Sequence, residues 1–381
     1  MKDIYSLHKR EYGADPEVVV STPAKINLMG EHTEHVEGYI LSLTVNRRMH
    51  LAVSKRNDRQ IYFFSQNYNE RKKSTITGLK YKKDDRWANY LKGVVSTLMQ
   101  SGSPITGVNV TIYSEIPQGI GMSSSTSLTM AMTIALKQLF QLELTGIQMV
   151  ELARQSEQRY ADRIGPSVIS SPFVVYYSRA ATTMFLDIEK LKPEYIPFSF
   201  PNVKIVITNS NVPMLMTNAE IAQFHAEWKK SFELFRKKKK SSLNRMDTMD
   251  LFDMGDEISE QSKRCLQHLV EENRRVMDMK NALIRKDLQK AGKLMSRAHE
   301  SARDLMEISC PELDWLVKRA LETEGVYGSR MIGDGFGGCT ITLMDVSFLA
   351  EYEKRLEEYE HIFGFKADYF ICDTDDGIEP L

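Results

Sequence analysis

The chain is poor in the residue types that mark specialised architectures. It holds 4 cysteines in 381 residues, and Cys265, Cys310, Cys339 and Cys372 form no C-x-x-C pair. That spacing argues against a disulfide scaffold, a zinc ribbon or a redox motif, and four reduced thiols are expected. Glycine, at 21 residues, is too scarce for a collagen-like chain. Charge of either sign is not in excess: 50 basic residues stand against 51 acidic ones, a formal net charge of −1. No nucleic-acid partner working through bulk charge is therefore expected. Long apolar runs are also missing. No segment approaches the ~18 apolar residues that a spanning helix needs, and Met1–Pro16 mixes charged residues without the apolar stretch of a signal peptide. No membrane association and a cytoplasmic location are the expectations. There is no internal repeat and no low-complexity segment.

What is present is an ordinary globular composition, 42% hydrophobic, 27% charged and 9% aromatic. The length exceeds the ~250–300 residues at which single cores stop growing, so two domains are expected. Lys192–Pro201 carries prolines at 193, 197 and 201 and reads as the linker, giving domains 1–192 and 193–381. Patterning predicts strands over 17–28, 39–55, 61–65, 108–114, 173–177, 183–186, 203–208 and 368–372. It predicts helices over 87–99, 128–142 and 148–162, and mainly helix over 219–321. Residues 71–83 read as a polar, basic turn, and 326–345 as loop, Gly-rich turn and strand. The basic run Arg236–Lys240 has no interleaved aromatics and reads as a solvated helix face.

The most informative local feature is Ile116–Ser127, I-P-Q-G-I-G-M-S-S-S-T-S, between a predicted strand and an apolar helix. Glycines let backbone N–H groups approach an anion closely. A helix start adds unpaired N–H groups and the positive end of a dipole. The hydroxyls of Ser123, Ser124 and Ser125 add donors and a potential metal ligand. No G-K-[ST] follows, so this is not a Walker A loop. Alone, a Ser-rich helix N-terminus explains the pattern almost as well.

Two further stretches, P-A-K-I-N-L-M-G-E-H-T-E at 23–34 and G-S-R-M-I-G-D-G-F-G-G-C at 328–339, accompany that loop. W-A-N-Y-L-K-G-V at 87–94, N-S-N-V at 209–212 and S-C-P-E-L-D at 309–314 fall between and around them. In order and over nearly the whole chain, these motifs resemble those of the GHMP kinases, and within them the galactokinase family. The resemblance implies an α+β fold of two lobes. The N-terminal lobe would be similar to ribosomal protein S5 domain 2, with a left-handed βαβ crossover, and the C-terminal one would be the GHMP C-terminal domain. It implies phosphoryl transfer from ATP, with Mg²⁺, to the anomeric hydroxyl of galactose or a related monosaccharide in the cleft between lobes. The implied nucleotide residues are Gly119, Ile120, Gly121, Met122, Ser123, Ser124, Ser125 and Trp87. Ser125 and Glu157 match the family's metal positions, Lys25 its catalytic cation, and Glu31, His32, Thr33 and Glu34 its sugar contacts. The plain alternatives are a surface carboxylate for Glu157 and a core aromatic for Trp87.

The acceptor half departs from the family pattern. Lys25 stands for an arginine and lacks its bidentate fork. The family's catalytic Asp, from a G-I-M-D-Q motif, finds no carboxylate in 163–171: Ile169, Pro166 or Ser171 takes its place depending on the gaps. Asp162 is the nearest acidic residue. Glu34 replaces an Asp, Ile221 a Tyr, and Asp334 a small residue beside the phosphate region, where a carboxylate repels phosphate unless it binds metal or points away. Three readings follow: a sugar-1-kinase that positions its acceptor without the Asp, a kinase for a different acceptor, or a nucleotide- and sugar-binding sensor. The resemblance favours the kinase. Oligomeric state is not legible.

Overall fold

The computed structural model describes residues 4–117, 119–160, 167–212 and 218–378. The fold is α+β. Helix α1 (Ile4–Tyr12) precedes two long strands, β1 (Val18–Met29) and β2 (Tyr39–Arg56). Then come β3 (Gln60–Ser65), β4 (Glu70–Thr75), α2 (Ala88–Gln100), β5 (Gly107–Ser114), α3 (Ser124–Phe140), α4 (Gly146–Tyr160) and α5 (Ser170–Tyr177). Strands β6 (Thr182–Asp187) and β7 (Lys192–Pro197) complete a seven-stranded sheet of order β4-β3-β5-β2-β6-β7, with β1 paired to β2. All pairs are antiparallel except β3 with β5, which are joined through β4 and α2.

The second half starts with β8 (Val203–Asn209) and continues through α6 (Asn218–Lys239), α7 (Glu260–Ile284), α8 (Leu288–Ser301) and α9 (Pro311–Leu321). Strands β9 (Val326–Ile332) and β10 (Cys339–Asp345), helix α10 (Leu349–Phe363) and β11 (Asp368–Cys372) follow. The antiparallel sheet order is β11-β8-β10-β9.

Four expectations change. The loop expected to open 326–345 is strand β9, paired antiparallel with β10. Residues 173–177 belong to helix α5, not a strand; a short apolar run does not distinguish the two by pattern. Part of the expected turn 71–83 is edge strand β4, whose charged residues suit a sheet margin. The expected linker is largely β7, paired with β6 along its length. The chain therefore passes between sheets at 198–202, not at 192/193. The prolines there mark an edge strand, where a missing N–H costs no ladder bond.

The two halves share one core. The largest apolar cluster runs from Ile26, Leu43 and Val110 through Val276, Met279 and Met295 to Ile207, Ile341 and Leu343. The tail returns to the first half: Val45 bridges Thr374, and Asp375 N–H donates to Thr44 O (2.9 Å). Helix α3 is buried almost all round, as expected for a central helix. Its small polar residues let β1 approach, with Ser127 Oγ donating to Pro23 O (2.7 Å). All four cysteines are buried free thiols. The 236–240 run is an ion-paired face, with Arg236 on Glu37 and Lys239 on Asp250. Among the described residues, no helix is long and apolar enough to cross a membrane.

Candidate functional site

A cleft of about 400 Å³ opens between the start of α3, the β9–β10 turn and the end of β1. Of the residues singled out in the sequence, Lys25, Glu31, Glu34, Trp87, Gly119 through Ser125, Ser171 and Asp334 line it. His32, Thr33 and Glu157 are not among its lining residues.

The floor is the Gly/Ser loop. Helix α3 begins at Ser124, four residues earlier than the pattern predicts, so Ser124 and Ser125 form its first turn. Ser123, at the N-cap, is left-handed (φ 55°) and makes no side-chain capping bond. The first-turn N–H groups are thus left to a ligand, and the helix dipole adds positive potential. Above the loop, Gly121 (φ +82°) meets Gly333 (φ +84°) backbone to backbone, and a Cβ on either would lie 3.2 Å from the other's Cα. The first and third Gly-rich motifs are therefore glycine-rich for a shared reason: their chains touch.

Trp87 is at once a core and a cleft residue. It is 8% exposed, packs edge-on against Phe63 and donates its indole N–H to Glu70 Oε2 (2.8 Å). Glu157, on α4, is buried and accepts from Thr129 Oγ1 and Ser167 Oγ, both at 3.2 Å. It is no surface carboxylate.

On the acceptor side a polar network runs inward. Lys25 Nζ pairs with Glu34 Oε2 at 3.6 Å, both groups largely buried. Glu34 also accepts a short hydrogen bond from Ser170 Oγ and a longer one from Asn27 Nδ2 (3.4 Å). Asn27 Nδ2 also reaches Glu31 Oε2 (3.0 Å). Glu31 Oε1 in turn accepts from Gly333 N–H (3.1 Å) and pairs with Arg330 (3.2 Å). Behind Arg330 lies Glu272, which is 1% exposed as a side chain and pairs with Arg275 at 2.7 Å. Burial opposes its ionisation, but Arg275 and Arg330 outweigh it and hold the carboxyl at about 2. Helix α7 pins both ends of the turn that carries Glu31–Glu34. Glu272 Oε1 accepts from Gly30 N–H (2.8 Å), and Asn273 Oδ1 accepts from Tyr39 N–H (2.6 Å). Thr33 locks the turn from within, donating to Gly30 O and Tyr39 O.

Of the three positions open for the missing Asp, Pro166 and the nearby Asp162 lie outside the described residues. Ile169 packs against the core, whereas Ser171 lines the cleft. Ile221 is buried and does not line the cleft. His32 turns away, toward α6. There it meets His225 edge-on, with ring centroids 5.7 Å apart. Burial, reinforced by His32, holds His225 down to about 4. Burial likewise lowers Lys229 one turn further along α6.

Sequence reasoning passed over Asn27, Arg330, Ser170, Glu272 and His225. The first two lie inside quoted motifs and were findable. Nothing local marks the others, because only the chain crossings bring them against Glu34, Gly30 and His32.

The architecture is that of a GHMP kinase. The family models for the GHMP kinases N-terminal domain, residues 89–173, and the GHMP kinases C-terminal domain, residues 279–357, match this chain, as does the galactokinase galactose-binding signature over 6–55. Human galactokinase is 33% identical over 380 residues, covering 98% of this chain and 94% of its own. Galactokinase of Thermotoga petrophila is 31% identical, covering 95% and 99%. The chain belongs to the galactokinase family. The solved structure of Lactococcus lactis galactokinase complexed with galactose superposes with a TM-score of 0.90, at 28% identity and 99% coverage of both chains. A Methanococcus jannaschii mevalonate kinase (TM-score 0.67, 19% identity) shares the fold.

Proposed function

We propose that the chain is an ATP-dependent sugar-1-kinase that transfers the terminal phosphoryl group of ATP to the anomeric hydroxyl of galactose or a close relative. One observation carries the reading. The uncapped start of α3 and the Gly333 turn face a buried lysine–carboxylate pair across a single cleft. That arrangement joins an anion cradle to an acceptor site. Family membership and the galactose-complexed relative support it. They favour a kinase over a binding-only sensor.

Phosphoryl transfer is mainly positioning and charge stabilisation. The loop 119–125 cradles the phosphates and Trp87 walls the nucleotide side. Lys25 lies where negative charge grows on the transferred group. Ser125 hydroxyl and Glu157 carboxylate are hard oxygen donors that suit Mg²⁺, which would neutralise phosphate charge when bound. Glu31 and Glu34 orient the sugar hydroxyls. Glu34 has a further role. Its extra methylene, relative to the Asp of its relatives, carries the carboxylate to Lys25 and Ser170, beside Ser171. Glu34 thus supplies the acceptor-side carboxylate that the α5 segment lacks, and it takes the hydroxyl proton as the phosphoryl group transfers.

The experiment is a panel of monosaccharides and sugar acids scored by ADP release, run on the native chain and on Glu34→Gln and Ser171→Ala. Turnover on galactose is expected. Glu34→Gln should lose ~10²–10⁴-fold in kcat, the usual worth of a general base, and Ser171→Ala only a few-fold. Silence across the whole panel refutes the kinase reading. Turnover that survives Glu34→Gln refutes the role of Glu34 alone.

A further inference from the structure

Beside the cleft, His32, His225 and Asp334 converge from three distant segments: the turn after β1, helix α6 and the β9–β10 turn. Their ligand-capable atoms all lie within 4.8 Å of one another. Both histidines are 3% exposed. Among the described residues, neither ring nitrogen of His225 nor Nε2 of His32 has a hydrogen-bond partner. Buried imidazoles normally satisfy their nitrogens, because an unpartnered buried polar group is costly. Here two adjacent rings leave nitrogens unsatisfied around one point, with an exposed carboxylate at its rim. Neither the phosphate cradle nor the Lys25–Glu34 pair uses His225 or explains why an acidic side chain sits at Asp334.

We propose that His32, His225 and Asp334 form a binding site for a borderline transition-metal dication of the Zn²⁺ class, separate from the kinase Mg²⁺. The donor set selects the ion. Two imidazoles and one carboxylate suit Zn²⁺, whereas Mg²⁺ takes oxygen ligands and keeps its waters. Zn–N and Zn–O bonds of ~2.0–2.2 Å put tetrahedral ligand atoms about 3.3 Å apart. Closing from the present spacing requires only a small movement, and Asp334 is on an exposed turn able to make it. The surroundings are apolar and aromatic: Phe224 packs on His225 and Phe336, and Trp228 lies 5.7 Å from the His225 ring. A dry shell of this kind strengthens ion–ligand attraction. The competing partner for Asp334 is the half-buried Lys229. A dication in the site places Asp334 on the metal and turns its charge away from the phosphates. It also ties the turn after β1, α6 and the third-motif turn together.

The test titrates Zn²⁺ alone into the full chain, without nucleotide or sugar, against a chromophoric zinc chelator, and repeats the titration with His225→Gln and Asp334→Asn. Co²⁺ absorption reports the geometry. One equivalent with a sub-micromolar Kd is expected. Each variant should weaken it at least ~10-fold, the lower bound for disturbing a site's ligand shell. The Co²⁺ bands should be those of a four-coordinate ion, and Zn²⁺ should raise the Tm of the native chain but not of the variants. Asp334→Asn changes an exposed side chain, so it remains informative if His225→Gln fails to fold. No binding, or binding unchanged in Asp334→Asn, overturns the proposal. Because the assay contains no ATP or sugar, its outcome is independent of the kinase reading.

Discussion

Glutamine at position 272 would remove one negative charge from the centre of the molecule and almost nothing else. The native carboxylate is 1% exposed, pairs with Arg275 at 2.7 Å, faces Arg330 at 3.9 Å and accepts from Gly30 N–H at 2.8 Å. Its pKa is depressed from 4.5 to about 2. A depressed carboxylate contributes stability that is complete above its unfolded pKa and is lost as pH falls through the folded one. At ~1.36 kcal/mol per unit, the charge contributes about 3 kcal/mol at pH 7 and roughly half of that at pH 3. Glu272→Gln should therefore lower unfolding free energy by about 3 kcal/mol at pH 7. The gap to the native protein should narrow between pH 5 and pH 2. Nearby His268 is held down to about 3 by burial, with Glu272 raising it, so it is neutral at pH 7 and pH 5 in both proteins. Urea unfolding followed by tryptophan fluorescence at pH 7, 5 and 3 measures it. A loss below 1 kcal/mol at pH 7, or one independent of pH, refutes the account of the network. Because Glu272 also pins Gly30, the KM for sugar should rise more than that for ATP.

Two of the remaining predictions concern glycines with no room for a side chain, and two concern the metal and acceptor assignments. Gly292→Ala puts a Cβ 1.7 Å from Tyr327 O, where α8 lies on β9. The overpacking should cost about 3 kcal/mol despite alanine's better helix propensity, read by the urea midpoint. Gly333→Ala forces a left-handed backbone onto alanine and presses on Gly121. It should weaken ATP binding roughly 10-fold, equivalent to the ~1–2 kcal/mol cost of that conformation, while galactose binding in calorimetry changes little. Ser125→Ala combined with Glu157→Ala should abolish the Mg²⁺ dependence of ATP affinity; an unchanged dependence would remove both residues from the metal assignment. Asp at position 171, introduced as Ser171→Asp, should restore turnover to Glu34→Gln if the two carboxylates serve one role.

Much of the fold was legible because its signals are local. The alternation in 39–55, the helical spacing from Trp87 and the strand–Gly/Ser loop–helix order each depend on a few neighbouring residues. The errors lie where tertiary context overrides such signals. Phe173–Tyr177 has β-favouring residues but is helical in α5, and Pro193 and Pro197 belong to a paired edge strand. The site divides in the same way. Gly119–Ser125, which lines the cleft, was readable because a glycine-rich turn into a helix is built from consecutive residues. The acceptor network was only half readable, because Ser170, Arg330 and Glu272 come from segments far apart in the chain.

The sequence by itself determined the family, since motif spacing and glycine positions are set by one stretch of backbone at a time. It also determined that residues 163–171 hold no carboxylate. Only the tertiary structure decided which side chains gather beside that stretch. The length of Glu34 matters because its carboxylate arrives beside Lys25 and Ser170. Asp334 meets His32 and His225 only because they converge on it from elsewhere in the chain. Convergence of side chains across crossings of one shared core is a property of packing, and no linear spacing encodes it.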